Sequence, residues 1–572
     1  MISKMPRVID MVVDMIAEMG IDHVFGLPGG VTPFLLEEFY KRKDKFTTIV
    51  ARQEGAAAIM ADVYGRITRK PGILIGQGPF IATNGGVGII EAYMAGSPMV
   101  IITDASDWNG INQHAPYQCG TGEYGSINVP NIMRSMTKYT TVATNPQEVV
   151  YGVELAIKHA ISGRPGPTCV IARWQSMIGI IKDPMELRPP LHELTGLLNV
   201  SPPCISPDDT QKIARYLLDA ESPVLLCGRG IHASNAYEEL QELAELIGMP
   251  VATSYMGKSS IVETHDLSLG VMGGLAQKLA NETIRGADVI LAVGTCLAPE
   301  NTVNCSIEFI DPSRQKLIHV DIDPRNAAWT YPVTLGVTSD AKLALKAIIN
   351  EIKNLSPNIN VNERINAIRI KKEDIENEYY TSKFYNSDNV PIEPERLVKE
   401  INEILSSDDI IVLDAGNSRM WFTKLLQTKN TGQLIAGGGV AGMCWGTSAA
   451  IATKLLYKDR NVVEISGDGS MLMGLYNWST LKELNLPLAY IVMNNSALGN
   501  VRDYLSRKGR PMSDVPKTNF ANIAKSMGIE GIRVEELSEL KPALQNAFTT
   551  DKPLVVDVVV SQGTNLRIRQ SV

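Results

Sequence analysis

Asn461-Val462-Val463-Glu464-Ile465-Ser466 runs into Gly467-Asp468-Gly469-Ser470, and further on the chain writes Met493-Asn494-Asn495-Ser496, with Asn495 27 residues after Asp468. The first run is short and apolar, as a buried strand is, and it delivers the glycines to a turn at its carboxyl end. Glycines there let backbone N–H groups approach an anion closely. Leu472, Leu475, Trp478, Leu481 and Leu484 recur with helical spacing, so a helix is expected over 472–484 with its amino terminus toward that turn. A second apolar run, 488–493, is expected to be a strand ending at Asn494-Asn495. One helix plus one strand brings Asp468 and Asn495 to the same edge of a parallel sheet. Taken alone, the Gly-Asp-Gly turn also fits an ordinary strand-to-helix connection; the Asn-Asn pair at this distance favours a ligand-binding edge.

Around this stretch the chain reads as a large folded enzyme. Its 572 residues imply several domains. Hydrophobic residues at 44% against 20% charged exclude disorder. A net charge of −8 without a basic stripe argues against nucleic acid as a partner. No apolar stretch approaches a membrane span, and Asp10, Asp14 and Glu18 interrupt Val8, Val12, Met15 and Met19 in helical register, unlike a signal peptide. The seven cysteines lack metal-ligand pairing and read as buried thiols of a reducing, cytoplasmic compartment.

Three blocks alternate strand and helix patterns. The first, 1–185, opens with the amphipathic helix and a strand ending in Val24-Phe25-Gly26-Leu27-Pro28-Gly29-Gly30, and Pro-rich sequence from Arg188-Pro189-Pro190 to Pro202-Pro203 follows as a linker. The second, 200–355, contains strands expected at 289–293 and 317–320. A charged, helix-like region around 360–380 leads into the third, 375–572. Blocks one and three echo each other: a helix, a strand ending in glycine, then a helix of small residues. The fold class is therefore α/β, with three consecutive doubly wound domains and mainly parallel sheets.

The pairing of Gly467-Asp468-Gly469-Ser470 with Asn494-Asn495, in this order of blocks, resembles thiamine diphosphate enzymes of the acetolactate synthase, pyruvate oxidase and 2-oxo acid decarboxylase branch. The resemblance covers essentially the whole chain. It implies a pyrimidine-binding, a central and a diphosphate-binding domain in that order. It implies Mg2+ held by the Asp468 carboxylate, the Asn495 amide oxygen and the Ala497 carbonyl, since magnesium takes few protein oxygens and completes its shell with phosphate and water. Gly467, Gly469, Ser470 and Leu498 would border the diphosphate, and Asp414-Ala415-Gly416-Asn417-Ser418 looks like the loop that grips it, with Gly416, Asn417 and Ser418 as donors.

Thiamine chemistry in this family uses the coenzyme's own 4′-imino nitrogen as base, which requires an acid at the pyrimidine N1′ and an apolar side chain that props the rings apart. Glu54, in Val50-Ala51-Arg52-Gln53-Glu54-Gly55, matches the acid; as an isolated residue it equally reads as a helix amino-terminal Glu favoured by the macrodipole. Met443, in Gly437-Gly438-Gly439-Val440-Ala441-Gly442-Met443, matches the prop, with glycines such as Gly442 bringing backbone to the aminopyrimidine. Methionine elsewhere is more often core filler. Pro28 and Asn84 match ring-site positions, and Gly78-Pro79-Phe80 resembles the family's Gly-Pro-Gly turn with Phe80 in place of the second glycine. Gln113 and His114 fall in the loop where decarboxylase relatives keep catalytic histidines; an ordinary loop histidine fits as well.

The resemblance implies addition of the coenzyme ylide to a small 2-oxo acid, decarboxylation to an enamine, then protonation or ligation to a carbonyl. Acetolactate synthases carry Gly-Thr-Asp-Ala-Phe-Gln-Glu where this chain has Gly120-Thr121-Gly122-Glu123-Tyr124-Gly125-Ser126. Trp174 replaces their lysine, and Tyr504 and Asn500 replace their tryptophan and methionine. Those positions choose the second substrate, so the acceptor stays open. Tyr124 is compatible with a 2-hydroxyacyl-CoA lyase or oxalyl-CoA decarboxylase, for which Arg567 and Arg569 would cover the CoA unless they form a solvated tail. A cyclic dione hydrolase is a further alternative. The central domain would hold FAD, ADP or nothing, with Glu300 where a flavin-contacting arginine stands in acetolactate synthases. Because one subunit's pyrimidine domain meets another's diphosphate domain in this family, a homodimer or homotetramer is implied.

Overall fold

Parallel strands covered on both faces read as unbroken apolar runs, and this chain supplies them in three sets of six. The computed structural model describes residues 6–107, 117–183, 187–274, 277–356 and 359–562. The first sheet consists of β1 (His23–Leu27), β2 (Thr47–Val50), β3 (Gly72–Gly76), β4 (Met99–Asp104), β5 (Tyr139–Ala143) and β6 (Pro167–Ala172), in the order β2-β1-β3-β4-β6-β5. β3, β4 and β6 are buried along their whole length. The second sheet, β7 (Pro223–Cys227), β8 (Val251–Thr253), β9 (Ser268–Val271), β10 (Val289–Val293), β11 (Lys316–Asp321) and β12 (Leu335–Thr338), has the order β12-β11-β10-β7-β8-β9. The third, β13 (Ile410–Leu413), β14 (Leu434–Ala436), β15 (Val462–Gly467), β16 (Ala489–Asn494), β17 (Glu530–Val534) and β18 (Leu554–Val559), has the order β14-β13-β15-β16-β18-β17. Every strand pair in the three sheets is parallel.

The first and third sheets thus share one strand order, which gives the echo between the outer blocks a structural form. The middle sheet has the order of dinucleotide-binding folds. The chain divides into two compact units. One comprises residues 1–201 with 437–458 and 474–486, and the other 202–436, 459–473 and 487–572.

The amphipathic opening helix is Val8–Glu18, burying Val8, Ile9, Val12, Val13, Met15 and Ile16. The charged region expected near 360–380 is a helix, Val361–Tyr380. The strand expected at 289–293 is β10; the one expected at 317–320 gains a residue at each end as β11, and the one expected at 488–493 is shifted by one residue as β16. The helix expected over 472–484 is instead two, Asp468–Gly474 and Tyr476–Leu484. The break falls at Leu475, just after Gly474, where a side chain would come within 2.6 Å of Thr447 Oγ1, so close packing requires the glycine there. Cys119, Cys169, Cys227 and Cys444 are buried, but Cys204, Cys296 and Cys305 are exposed, correcting the expectation of seven buried thiols. Among the described residues no helix is long and apolar enough to cross a membrane.

Candidate functional site

In the third sheet β13 and β15 lie side by side while their connections leave in opposite directions, which opens a crevice at the carboxyl edge of this kind of sheet. Three loops end there: residues 414–417 after β13, 467–468 after β15 and 495–499 after β16. Asp468 begins a helix directly from β15. Its carboxyl is 2% exposed, with Oδ1 accepting from its own neighbour Gly469 N at 2.7 Å and Oδ2 lacking any donor among the described residues. Burial pushes the Asp468 carboxyl up to about 6, although the backbone amides of Gly469, Ser496, Ala497 and Asn495 act in the opposite direction. Asp468 and the 495–497 turn are thus brought together.

Asn495 Oδ1 accepts from Ala497 N at 3.0 Å, with Ser496 between them in the left-handed region. Asn417 Nδ2 donates to Asp503 Oδ2 at 2.8 Å. A side chain at Gly499 would come within 3.1 Å of Asn417 Nδ2 and 3.3 Å of Asn495 Nδ2, so the two amides converge over that glycine. Gly416, at φ +100°, caps the helix Asn417–Leu425, and a Cβ at Gly416 or at Gly467 would meet only open space. Ser418 Oγ donates to Ala415 O at 3.3 Å, and Ser470 is buried. Among the described residues no cluster of His, Cys, Asp and Glu could cage a metal unaided.

The first unit carries the other candidates. Glu54 opens the helix Glu54–Thr68 directly after β2, with Gln53 capping it through Ala56 N at 3.2 Å. The Glu54 side chain is buried and its Oε2 accepts from Asn84 Nδ2 at 3.1 Å, so these two predicted residues meet. Pro28 lies just past β1. Two positions further, Gly30 has φ +58°, and a side chain there would overlap the Asp104 carboxylate. Gly442 and Met443 lie on the loop between β14 and the helix Trp445–Leu456. In that loop the amides of Gly438, Gly439, Val440 and Ala441 all donate to Glu91. Tyr124 is 61% exposed, on a turn at φ +53°. Gln113, His114, Arg567 and Arg569 lie outside the described residues.

Sequence reasoning missed Asp104, at the end of β4. It is fully buried, and its Oδ2 accepts from Val31 N at 2.9 Å while its Oδ1 accepts from Gly78 N at 3.0 Å and Ser106 Oγ at 3.3 Å. One carboxylate thereby ties the loop after β1 to the loop after β3, and burial raises it above the usual carboxylate range. Also missed was Glu464 inside β15, raised well above its usual range by burial and by neighbouring Asp414; an acid in the middle of Val462-Val463-Glu464-Ile465 was the available signal. In the central sheet, Gly228 would overlap Gly294 O if it carried a side chain, and Gly230 would come within 2.5 Å of Gly294 Cα. Those glycines serve backbone-to-backbone packing of the turns after β7 and β10.

Three family models match the chain: the N-terminal TPP binding domain of thiamine pyrophosphate enzymes over residues 6–122, their central domain over 210–348 and their C-terminal TPP binding domain over 414–558. The large subunit of acetolactate synthase from Buchnera aphidicola subsp. Acyrthosiphon pisum is 30% identical over 580 residues, spanning 97% of this chain and 95% of its own. A probable acetolactate synthase large subunit from Methanocaldococcus jannaschii is 29% identical, covering 95% of this chain and 90% of its own. The chloroplastic acetolactate synthase of Arabidopsis thaliana is 27% identical, covering 96% and 81%.

Proposed function

Because the chain belongs to the thiamine pyrophosphate enzymes and is acetolactate synthase-like along nearly its whole length, we propose that it removes carbon dioxide from a small 2-oxo acid and joins the remaining acyl unit to a carbonyl acceptor. The observation that carries this reading is the buried Asp468 oxygen without a donor among the described residues, beside the 495–497 turn and the space at Gly467. A lone carboxylate with nearby amide and carbonyl oxygens suits Mg2+, which takes the rest of its octahedron from phosphate and water. Asp468, Asn495 and Ala497 would hold that ion. Gly416, Asn417 and Ser418, with Gly467, Gly469, Ser470 and Leu498, would border the diphosphate, two helix amino termini adding favourable dipoles.

When bound, thiamine diphosphate supplies a nucleophilic carbon for the 2-oxo carbonyl and an electron sink for loss of carbon dioxide. Glu54 would hold the proton at the pyrimidine N1′, with Asn84 fixing its carboxyl by the bond to Oε2. Pro28, Gly442 and Met443 would line the rings. In this reading residues 1–185 bind the pyrimidine, 200–355 form the central domain and 375–572 bind the diphosphate. The central domain would hold FAD, ADP or neither; flavin absorbance of the purified protein tests the first, and nucleotide released on denaturation tests the second. The exposed Tyr117, Tyr124, Val87, Met94 and Val440 of the first unit favour a homodimer or homotetramer, which light scattering measures.

The test is to supply pyruvate with thiamine diphosphate and Mg2+ and to follow carbon dioxide, acetolactate and acetoin by mass analysis. Glu54→Gln should abolish turnover. Release of no carbon dioxide from any 2-oxo acid in a screen, together with cleavage of an acyl-CoA or a cyclic dione, would replace this reading with one of those.

A further inference from the structure

We propose that Glu91 is a positioning residue for the coenzyme: its carboxylate is the internal template on which the 437–444 loop, and with it Met443, takes its working shape. The proposal rests on the thiamine reading of Met443 given above.

The loop has little shape of its own. Gly437, Gly438, Gly439 and Gly442 make half of its eight residues, and glycine loses more conformational freedom on ordering than any other residue. Ala441 at φ +54° and Cys444 at φ +71° sit in the left-handed region, which residues with a Cβ adopt at a cost and hold only when the surroundings dictate it. Cys444 is held through its thiol by Thr447 and Tyr476, whereas over 438–441 the polar surroundings are one anion. Glu91 Oε1 accepts from Gly438 N and Gly439 N, both at 2.9 Å, and Oε2 accepts from Val440 N at 2.7 Å and Ala441 N at 2.9 Å. Four consecutive amides aimed at one carboxylate form a nest of the kind that binds anions, filled here by the protein's own side chain.

Glu91 is itself fixed. It is fully buried on the helix Gly86–Ala95, and Arg66 Nη2 donates to its Oε1 at 2.6 Å. Arg66 also pairs with Asp62 at 2.9 Å and lies 4.8 Å from the centre of the Trp445 ring, while Trp445 Nε1 donates to Asp62 Oδ2 at 3.1 Å. The loop's amides and its far boundary are therefore held by the same charged cluster, since Trp445 starts the next helix. Val87 and Met94 lie on the same stripe of the helix as Glu91: a Cβ at Gly442 would meet Val87 Cγ1 at 2.9 Å, and one at Gly439 would meet Met94 Cβ at 2.6 Å. The stripe leaves the loop one seating.

A residue that only stabilised the fold would change melting temperature and nothing local. A template changes the loop and the affinity for what the loop holds. The experiment compares full-length wild type with Glu91→Gln, Glu91→Asp and the remote core control Ile157→Ala. Amide exchange of 438–441 is followed without coenzyme, and thiamine diphosphate with Mg2+ is then titrated calorimetrically. In Glu91→Gln exchange at 438–441 should rise, and coenzyme affinity fall, each by about ten-fold or more. Glu91→Asp should fall between, and Ile157→Ala should melt lower with both readings unchanged. Unchanged exchange at 438–441, or loosened amides with unchanged affinity, overturns the proposal; if Glu91→Gln does not fold, Glu91→Asp is judged by the same two readings. A wild type that binds no thiamine diphosphate overturns the functional reading first, and is told apart because its 438–441 amides remain protected.

Discussion

Replacing Asp104 should unfasten the two loops it joins, and the cost can be worked out bond by bond. In Asp104→Ala the amides of Val31 and Gly78 lose their acceptor in a fully buried place. Each orphaned buried N–H costs about 1–3 kcal/mol, so the pair costs about 2–6 kcal/mol, less some relief from no longer burying a charge. Asp104→Asn keeps one carbonyl oxygen but turns an NH2 toward the other backbone N–H, so it should cost about half as much. For a body of this size 1 kcal/mol moves the midpoint by about 2–4 °C, which places the alanine variant roughly 5–20 °C below wild type. Differential scanning calorimetry of the full chain reads this as a downward shift of one transition, because a multidomain chain need not melt in one step. An alanine variant that melts within a degree of wild type, or an asparagine variant worse than alanine, would refute the argument that two amide bonds through this carboxylate join the loops.

Asp468→Ala should leave the apo protein folded and remove the rise in melting temperature produced by thiamine diphosphate with Mg2+; thermal shift with and without both ligands checks it. Gly499→Ala places a carbon 3.1 Å from Asn417 Nδ2 and 3.3 Å from Asn495 Nδ2 and should weaken Mg2+-dependent coenzyme binding about ten-fold, measured by calorimetry. The Glu91 carboxyl is held down to about 2 although burial alone would raise it, because Arg66 and the loop amides outweigh that penalty. A lowered acid stabilises the fold above its unfolded value of 4.5 and ceases to do so as pH falls through about 2, a contribution of about 3 kcal/mol. Acid titration of stability should therefore be shallower over that window in Glu91→Gln than in wild type.

The strands were legible because a buried parallel strand has to be apolar nearly throughout, as in Ala489–Asn494 and Val289–Val293. The pairing of Asp468 with the 495–497 turn was legible because both lie within one strand-helix-strand unit, whose length fixes where its ends meet. Asp104 and Glu91 were not, for a physical reason. Val31, which Asp104 ties to Gly78, lies 73 residues away along the chain and the amides that face Glu91 about 350, and nothing in Ile102-Thr103-Asp104 or Ile90-Glu91-Ala92 says which amides will face them. The split after Gly474 was hidden similarly, since the apolar spacing continues across it and only contact with Thr447 requires the glycine. The glycines of 437–442 were noticed as letting backbone approach a ring, but nothing in their sequence says that four of the loop's amides converge on Glu91.

The first compact unit closes on segments 437–458 and 474–486, so its charged cluster has no complete set of partners until ribosomes have made most of the chain. At about 5–20 residues per second the wait between residue 201 and residue 486 is roughly 15–60 s, during which Arg66 and Glu91 cannot bury themselves with Trp445 and the loop amides. Nascent chains stalled short of residue 437 should accordingly be protease-sensitive around the helices that carry Arg66 and Glu91, although their first sheet is complete, and chaperones have a long window in which to act.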